Sequence, residues 1–377
     1  MRMAFDLRRI KNPGIGRYMK CLVEAVLVQA PENEYLLILP PGGEDLIQGC
    51  GPEVTTISPE IKYYSVREQI ELPAILRRNK VDLLHSPHFM LPLVRPCPMV
   101  ATIHDVIYLA CKDDLPSRAG RFYYRGMMGA TVRTATRIIT DSEFSKRDIV
   151  SRLRADPASI EVIYPGVDSR LRRVSDRVRI ENTLSAYGIT DDYVLYAGIH
   201  KLRKNHAGLL RAFQRFLATG GAGQVVLAGP MNDGEAVLRR LAADLGIAGK
   251  VIFTGFVKDA DLAVLYSAAK VYACPSLYEG FGFTIVEAMA CGTPVVSSAA
   301  TSLREVGGDA ALYADSEQPE EFARALSRAF YDPALRRDLV EKGYRNAARF
   351  TWSRTATHTL RVYQDAVQDH CAKTARA

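Results

Sequence analysis

Residues 271–296, VYACPSLYEGFGFTIVEAMACGTPVV, decide the fold. Val271 to Cys274 is a short apolar run that reads as a strand, and Pro275-Ser276 ends it. A loop follows in which Gly280 and Gly282 alternate with Phe281 and Phe283. From Thr284 the apolar positions Ile285, Val286, Ala288 and Met289 fall into helical spacing. Gly292-Thr293-Pro294 stops that helix, and Val295-Val296 opens the next strand. The result is one α/β unit with its loop at the carboxyl end of a strand, where open α/β sheets hold ligands.

Two carboxylates mark the unit: Glu279 on the loop and, eight residues later, Glu287 on the helix. Backbone N–H groups of residues 281–285 at a helix N-terminus suit an anion. A carboxylate on the same loop suits hydroxyls. Together they point to a ligand carrying both a phosphate and a polyol. The plainer alternative is a solvated loop glutamate and a surface helix glutamate. The Gly-Phe-Gly-Phe loop between them favours a site.

Pro275-Ser276-Leu277-Tyr278-Glu279-Gly280-Phe281-Gly282, then Glu287-Ala288-Met289-Ala290 and Gly292-Thr293-Pro294-Val295-Val296, resemble the E-x7-E signature of glycosyltransferase family 4. Members of that family are retaining, nucleotide-sugar-dependent enzymes of the GT-B fold. The resemblance runs without a gap over more than twenty positions of this stretch, and more loosely from Gly14 to Trp352.

Earlier in the chain, Met3 to Leu7 reads as a strand, followed by Asn12-Pro13-Gly14-Ile15-Gly16-Arg17-Tyr18 and a helix. Gly14 and Gly16 allow close backbone approach at a helix start; a tight turn that binds nothing is the equal alternative. The resemblance implies that this loop reaches donor phosphate and acceptor. Further strands are read at Tyr35–Leu39, Val81–Pro87, Met99–Ile103, Ile138–Ser142 and Ile160–Tyr164. The Met99 strand ends in His104-Asp105, and the resemblance implies that His104 contacts the transferred sugar; His85 and His88 are weaker candidates. At 141–142, either Asp141 or Ser142 caps the next helix. Residues 118–137 interleave five arginines with Phe122, Tyr123, Tyr124, Met127 and Met128. This fits either an ordinary amphipathic helix or a helix lying on an anionic bilayer.

After an arginine-rich linker over 169–191, the α/β pattern restarts at Tyr193. Gly198-Ile199-His200-Lys201-Leu202-Arg203-Lys204-Asn205 puts two cations just before a helix. The resemblance implies that Arg203 and Lys204 neutralise the donor diphosphate, that the loop around Val257 cradles the base, and that Glu287 holds the ribose. Asp259-Ala260-Asp261 has the spacing of a metal-binding D-x-D, but its place before Leu262 and Leu265 reads as a helix cap. Two amphipathic helices over 319–349 and a last helix from Trp352 to about Gln368 complete the chain, with residues 371–377 expected to fray.

The chain has 377 residues, enough for two domains with proper cores. No apolar run approaches the roughly 20 residues of a membrane-spanning helix, and the N-terminus becomes charged too early for a signal peptide. Seven scattered cysteines fit a reducing compartment, and the expected location is cytoplasmic, with peripheral contact at the inner membrane face. A net charge of +7 suits an anionic ligand or surface; no nucleic-acid motif accompanies it.

The expectation is therefore an α/β GT-B protein with two Rossmann-like domains facing across a cleft. Residues 1–170 would form the acceptor domain and 171–352 the donor domain, with the helix from 353 to 377 packing back on the first. The catalytic candidates are Glu279, His104, Arg203 and Lys204. Donor contacts would add Gly14, Gly16, Val257, Gly280, Phe281, Gly282, Phe283, Thr284 and Glu287. Neither metal nor cofactor is expected. The G-I-G-R-Y, D-L-L-H-S-P, T-I-H-D and R-K-N segments look most like bacterial mannosyltransferases and rhamnosyltransferases of O-antigen or exopolysaccharide assembly. GDP-mannose is the expected donor and a lipid-diphosphate-linked saccharide the expected acceptor. The alternatives are a UDP- or dTDP-sugar donor, or a degenerate protein that only binds a sugar nucleotide.

Overall fold

The structure, a computed structural model, describes residues 1–12, 14–47, 54–111, 117–230 and 234–374. Pro13 of the first loop and residues 375–377 of the expected frayed tail lie outside the described residues. The chain divides into two compact units, Met1–Gly166 with Thr351–Ala377, and Val167–Phe350. The sequence reading set the corresponding boundaries at 170/171 and 352/353.

Unit 1 runs β1 (Arg2–Asp6), α1 (Ile15–Gln29), β2 (Glu34–Ile38), β3 (Val54–Ile57), α2 (Val66–Arg78), β4 (Leu83–Ser86), β5 (Met99–Thr102), α3 (Ile107–Ala110), α4 (Arg118–Thr134), β6 (Arg137–Thr140), α5 (Glu143–Leu153) and β7 (Ile160–Val162). Unit 2 runs α6 (Arg177–Ala186), β8 (Tyr193–Ala197), α7 (His206–Ala218), β9 (Gln224–Ala228), α8 (Glu235–Asp244), β10 (Val251–Gly255), α9 (Asp259–Ala268), β11 (Val271–Cys274), α10 (Phe283–Ala290), β12 (Val295–Ser297), α11 (Leu303–Gly307), β13 (Ala311–Tyr313), α12 (Pro319–Tyr331) and α13 (Pro333–Ala347). The last helix, α14 (Trp352–Thr374), belongs to unit 1.

Among the described residues each unit holds one sheet, seven-stranded in the order β3-β2-β1-β4-β5-β6-β7 and six-stranded in the order β10-β9-β8-β11-β12-β13. All the ladders are parallel, as in Met3↔Leu83 between β1 and β4 and Val271↔Val194 between β11 and β8. Helices cover both faces, so the central strands are almost wholly buried; β8, YVLYA, has no exposed position. In unit 2, Phe213 and Phe216 of α7 meet Phe322, Leu326 and Phe330 of α12 in the core. The strand order turns back between β1 and β4 and between β8 and β11. Such switch points splay the loops that leave the strands and open a crevice at their carboxyl ends.

α14 packs on α1. Its Tyr363 hydroxyl lies 2.6 Å from Nδ1 of His85, whose Nε2 lies 2.9 Å from Thr102 Oγ1. His85 is thus a fully buried strut of the core rather than a sugar contact. Burial, with His104 nearby, pushes its pKa down to about 3. At the start of α14, Gln29 Nε2 donates to the Ser353 carbonyl and the Trp352 ring stands edge-on to Tyr18.

Several local readings change. The sequence reading gave residues 42–75 no element, yet β3 and most of α2 lie there; Pro73 inside α2 interrupts the helical signal. β13, three residues long, was not anticipated. α14 extends beyond the expected end near Gln368 to Thr374. Asp259 is not a cap: Lys258 holds the N-cap position of α9 and Asp259 lies 3.2 Å from Arg170 NH2.

Candidate active site

Two adjacent loops of unit 2 come together at the β8–β11 switch point. The β8–α7 loop carries Arg203 and Lys204 on a short 3-10 turn (Leu202–Lys204). Asn205 follows in the left-handed region at φ 53°, its Oδ1 accepting from Gly208 N–H to cap α7 and its Nδ2 donating to the Ser316 carbonyl. The β11–α10 loop is tied to it by a 2.7 Å hydrogen bond from Leu277 N–H to the Arg203 carbonyl.

Across this tie Lys204 Nζ lies 2.5 Å from Glu279 Oε1, with the two side chains 17% and 11% exposed. Burial opposes ionisation of Glu279, but the Lys204 charge and hydrogen bond, Arg203 and Ser276 outweigh it and hold its carboxyl below the usual glutamate range. The residue expected at a sugar and the residue expected at a diphosphate therefore form one ion pair.

The loop backbone is fixed from behind. Glu279 N–H donates to Thr301 Oγ1, and Ser302 Oγ donates to the carbonyls of Glu279 and Phe281. Neither hydroxyl was singled out from sequence, because only the fold brings residues 301–302 under the loop. Gly282, at φ 103°, makes the sharp entry into α10, and a Cβ there would lie 2.8 Å from Leu303 Cδ2. Gly280, Phe283 and Thr284 complete the loop and the first turn. The anticipated row of open N–H groups over 281–285 is shorter than expected, since Ile285 N–H is taken by the Gly282 carbonyl.

Glu287 faces inward on α10, 5% exposed, and Oε2 accepts from the Tyr266 hydroxyl of α9 at 3.1 Å. It is not a surface helix residue. Burial, with the neighbouring Glu287, pushes the Tyr266 hydroxyl pKa well up. On the loop after β10, the Val257 side chain is buried while that of Phe256 is 77% exposed.

In unit 1, His104 stands beyond the end of β5. Its Nδ1 lies 2.7 Å from Asp141 Oδ2, its Nε2 3.3 Å from the Pro87 carbonyl, and the Tyr18 ring meets it edge-on. Both ring nitrogens thus face acceptors. Burial disfavours the charged ring, but Asp141, Asp105 and the Pro87 carbonyl outweigh it and raise the His104 pKa. Of the two cap candidates, Ser142 caps α5, leaving Asp141 to orient His104. The sequence offered no signal for that role. Asp105 accepts from Ile107 N–H at the start of α3. His88 is 5% exposed and its Nε2 lies 2.8 Å from Arg9 NH1.

Gly14 takes φ 78° at the start of α1. Gly16 departs from its expected role: its N–H donates to the Asn12 carbonyl, and a Cβ would lie 2.0 Å from the Ile10 carbonyl oxygen. It is a close-packing glycine, not a presented N–H. α4 buries Tyr124, Met128 and Thr131 and leaves Phe122 82% and Tyr123 44% exposed. No helix among the described residues is long and apolar enough to cross a membrane.

Two family profiles match the chain: Glycosyltransferase Family 4 over residues 23–171 and Glycosyl transferases group 1 over residues 184–346. The chain is 32% identical to O-antigen chain mannosyltransferase B of Escherichia coli over 391 aligned positions, covering 97% of this chain and 100% of that protein. It is also 32% identical to a D-inositol 3-phosphate glycosyltransferase of Acidothermus cellulolyticus, covering 77% of this chain and 66% of the relative. Among solved structures, a glycosyltransferase from Rickettsia africae ESF-5 superposes with a TM-score of 0.76 at 14% identity, covering 97% of this chain and 98% of that one. HepE of Anabaena, solved with UDP and glucose, superposes with a TM-score of 0.75 at 20% identity, covering 96% and 99%. With two parallel α/β units and the E-x7-E loop at a switch point, the chain belongs to glycosyltransferase family 4 and has the GT-B fold.

Proposed function

We propose that the protein transfers a mannosyl unit from GDP-mannose to a saccharide or lipid-diphosphate-linked saccharide in cell-surface polysaccharide synthesis, with retention of anomeric configuration and without a metal. The observation that carries the donor site is the Lys204–Glu279 pair at the β8–β11 switch point. It places a cation, a carboxylate and a helix N-terminus within one loop cluster, matching a donor with a diphosphate at one end and sugar hydroxyls at the other. The choice of mannose is supported by the full-length similarity to an O-antigen chain mannosyltransferase.

When the donor's glycosidic bond breaks, negative charge grows on the leaving diphosphate and positive character on the sugar. The main task is to stabilise the leaving group. Arg203, Lys204 and the N–H groups at the start of α10 take that role, in place of a divalent metal. As the diphosphate takes up Lys204, the Glu279 carboxylate turns to the donor sugar's hydroxyls. Glu287, oriented by Tyr266, takes the ribose, and the backbone at Val257 takes the base. In unit 1, His104, held by Asp141, is assigned to the transferred sugar, and the Gly14 turn to the phosphate or acceptor. No side chain serves as a covalent nucleophile; a donor phosphate oxygen assists acceptor deprotonation on the same face. The exposed edge of α4 at Arg118, Phe122 and Arg125 is the proposed contact with an anionic membrane.

A thermal-shift screen of nucleoside diphosphates and their sugars in EDTA tests the reading. Ligand at about 100 times its Kd adds about 2.7 kcal/mol of stability. A shift with GDP and GDP-mannose in EDTA is expected. A shift confined to UDP or dTDP compounds would retain the mechanism and change the donor, and no shift with any nucleotide would overturn the proposal.

A further inference from the structure

The loop preceding α2 holds a tyrosine in an unfavourable backbone state. Tyr64 has φ 61°, in the left-handed region that a bulky residue rarely adopts, and its side chain is nevertheless 41% exposed. A strained conformation persists only where its surroundings enforce it. Here they do: Tyr64 N–H donates to Glu68 Oε2 at 2.9 Å, and Glu68 Oε1 accepts from Arg8 NH2 at 2.6 Å. Arg8 in turn grips Asp6 with two bonds of 2.8 and 2.7 Å. The side chains of all three charged residues are 1–2% exposed.

Burying one cation with two carboxylates is costly, and apolar side chains often stabilise a core as well or better. The triad runs from the end of β1 to the first turn of α2 and ends at the Tyr64 amide. The Arg8 guanidinium also covers the neighbouring Tyr63 ring, 4.5 Å from its centroid. Strain and buried charge thus converge on presenting one aromatic side chain to solvent.

What surrounds that side chain names its ligand. Arg9 NH1 donates to the Tyr64 hydroxyl at 2.7 Å and its guanidinium lies 5.3 Å from the ring centroid. Phe89 stacks at 6.2 Å and Tyr123 stands edge-on at 6.0 Å, its hydroxyl donating to the Tyr64 carbonyl. The cluster is continuous with His104: Nε2 of that ring faces the Pro87 carbonyl, and the next residue, His88, meets Arg9. Residues on either side of Tyr64 in the chain, Ile61, Lys62 and Ser65, line with Pro41 and others a cleft of about 430 Å³. Exposed aromatic rings edged by guanidinium donors suit a pyranose, whose C–H faces lie on rings while its hydroxyls accept hydrogen bonds.

We infer that Tyr64, with Arg9 and Tyr123, is a saccharide-binding subsite that selects the acceptor, and that the Asp6–Arg8–Glu68 triad is there to position it. The inference rests on the transferase reading for calling the sugar an acceptor, but not for the binding of the sugar itself.

The test uses the full chain and a panel of methyl pyranosides (of mannose, rhamnose, galactose and glucose) followed by saturation-transfer NMR. At least one glycoside binds the wild type. Tyr64→Ala and Tyr64→Gly weaken it by about tenfold or more, while Tyr64→Phe, which retains the ring, stays within about threefold. Tyr64→Gly melts at a higher temperature than Tyr64→Ala, because glycine accepts φ 61°. A thermal shift with nucleotide stays as in the wild type in all three variants. Binding of no glycoside, or equal binding by wild type and Tyr64→Ala, overturns the inference. Glycoside binding in a protein that binds no nucleotide overturns the transferase reading and leaves the subsite standing.

Discussion

Replacing Lys204 with alanine removes one partner of the Lys204–Glu279 pair and leaves the other buried. Exposed ion pairs contribute about 0–1 kcal/mol, whereas breaking a buried pair costs about 3–5 kcal/mol. The side chains here are 17% and 11% exposed, close to the buried limit. Lys204→Ala therefore loses about 2–4 kcal/mol at pH 7, read as a drop in the urea midpoint. The sign of its pH dependence follows from Glu279. In the wild type its folded pKa is depressed, so the pair stabilises above the unfolded glutamate value, about 4.3, and that contribution is lost as pH falls through the folded pKa. Without Lys204, burial dominates and the folded pKa rises above the unfolded one. The charged glutamate then destabilises at neutral pH and recovers as acid protonates it, so the gap between the two proteins narrows from pH 7 toward 4.5. Adding Glu279→Gln to Lys204→Ala restores at least half of the lost stability and none of the transfer activity. A gap below about 0.5 kcal/mol that is the same at both pH values refutes the reasoning.

Two further outcomes are expected. Asp141→Asn removes the charge that raises the His104 pKa. That pair's contribution is complete below the unfolded histidine value, about 6.5, and fades as pH rises through the folded pKa, so the variant loses about 1–2 kcal/mol at pH 6 and less at pH 9; equal losses in urea melts at both pH values would disprove the pairing. Gly16→Ala forces a methyl toward the Ile10 carbonyl and costs about 1–3 kcal/mol, seen as a lower melting temperature by circular dichroism; an unchanged melt would show that the loop relaxes freely.

The central strands were legible because parallel sheets bury them on both faces and leave continuous apolar runs, as in β8 and β11. Short or interrupted elements were not: β13 spans three residues, and Pro73 sits inside α2. At the candidate site the residue types were readable and their partners were not. Glu279 and Lys204 are 75 residues apart and meet only because β8 and β11 are neighbours in the sheet. Asp141 and Ser142 were interchangeable as caps in the sequence, and only the position of His104 separates their roles. Gly16 carried the signature of a presented backbone, but Ile10 packs against it. The acidic pair at Asp259 and Asp261 turned outward to Arg170 and Tyr187 instead of capping α9.

The last helix has a consequence for how the chain is made. Unit 1 begins at Met1 but is completed only by α14, after all of unit 2 has been specified. Synthesised from the N-terminus, the first 166 residues lack the helix that covers α1 and supplies the Tyr363 hydroxyl to His85. Unit 2 is contiguous and has all its parts as soon as Phe350 leaves the ribosome. The later-made half can therefore finish folding first, while the earlier half waits with an uncovered apolar face. A stop codon just before Trp352 would spare every residue of the loops bearing Lys204 and Glu279 and still leave the half bearing His104 unable to close its core.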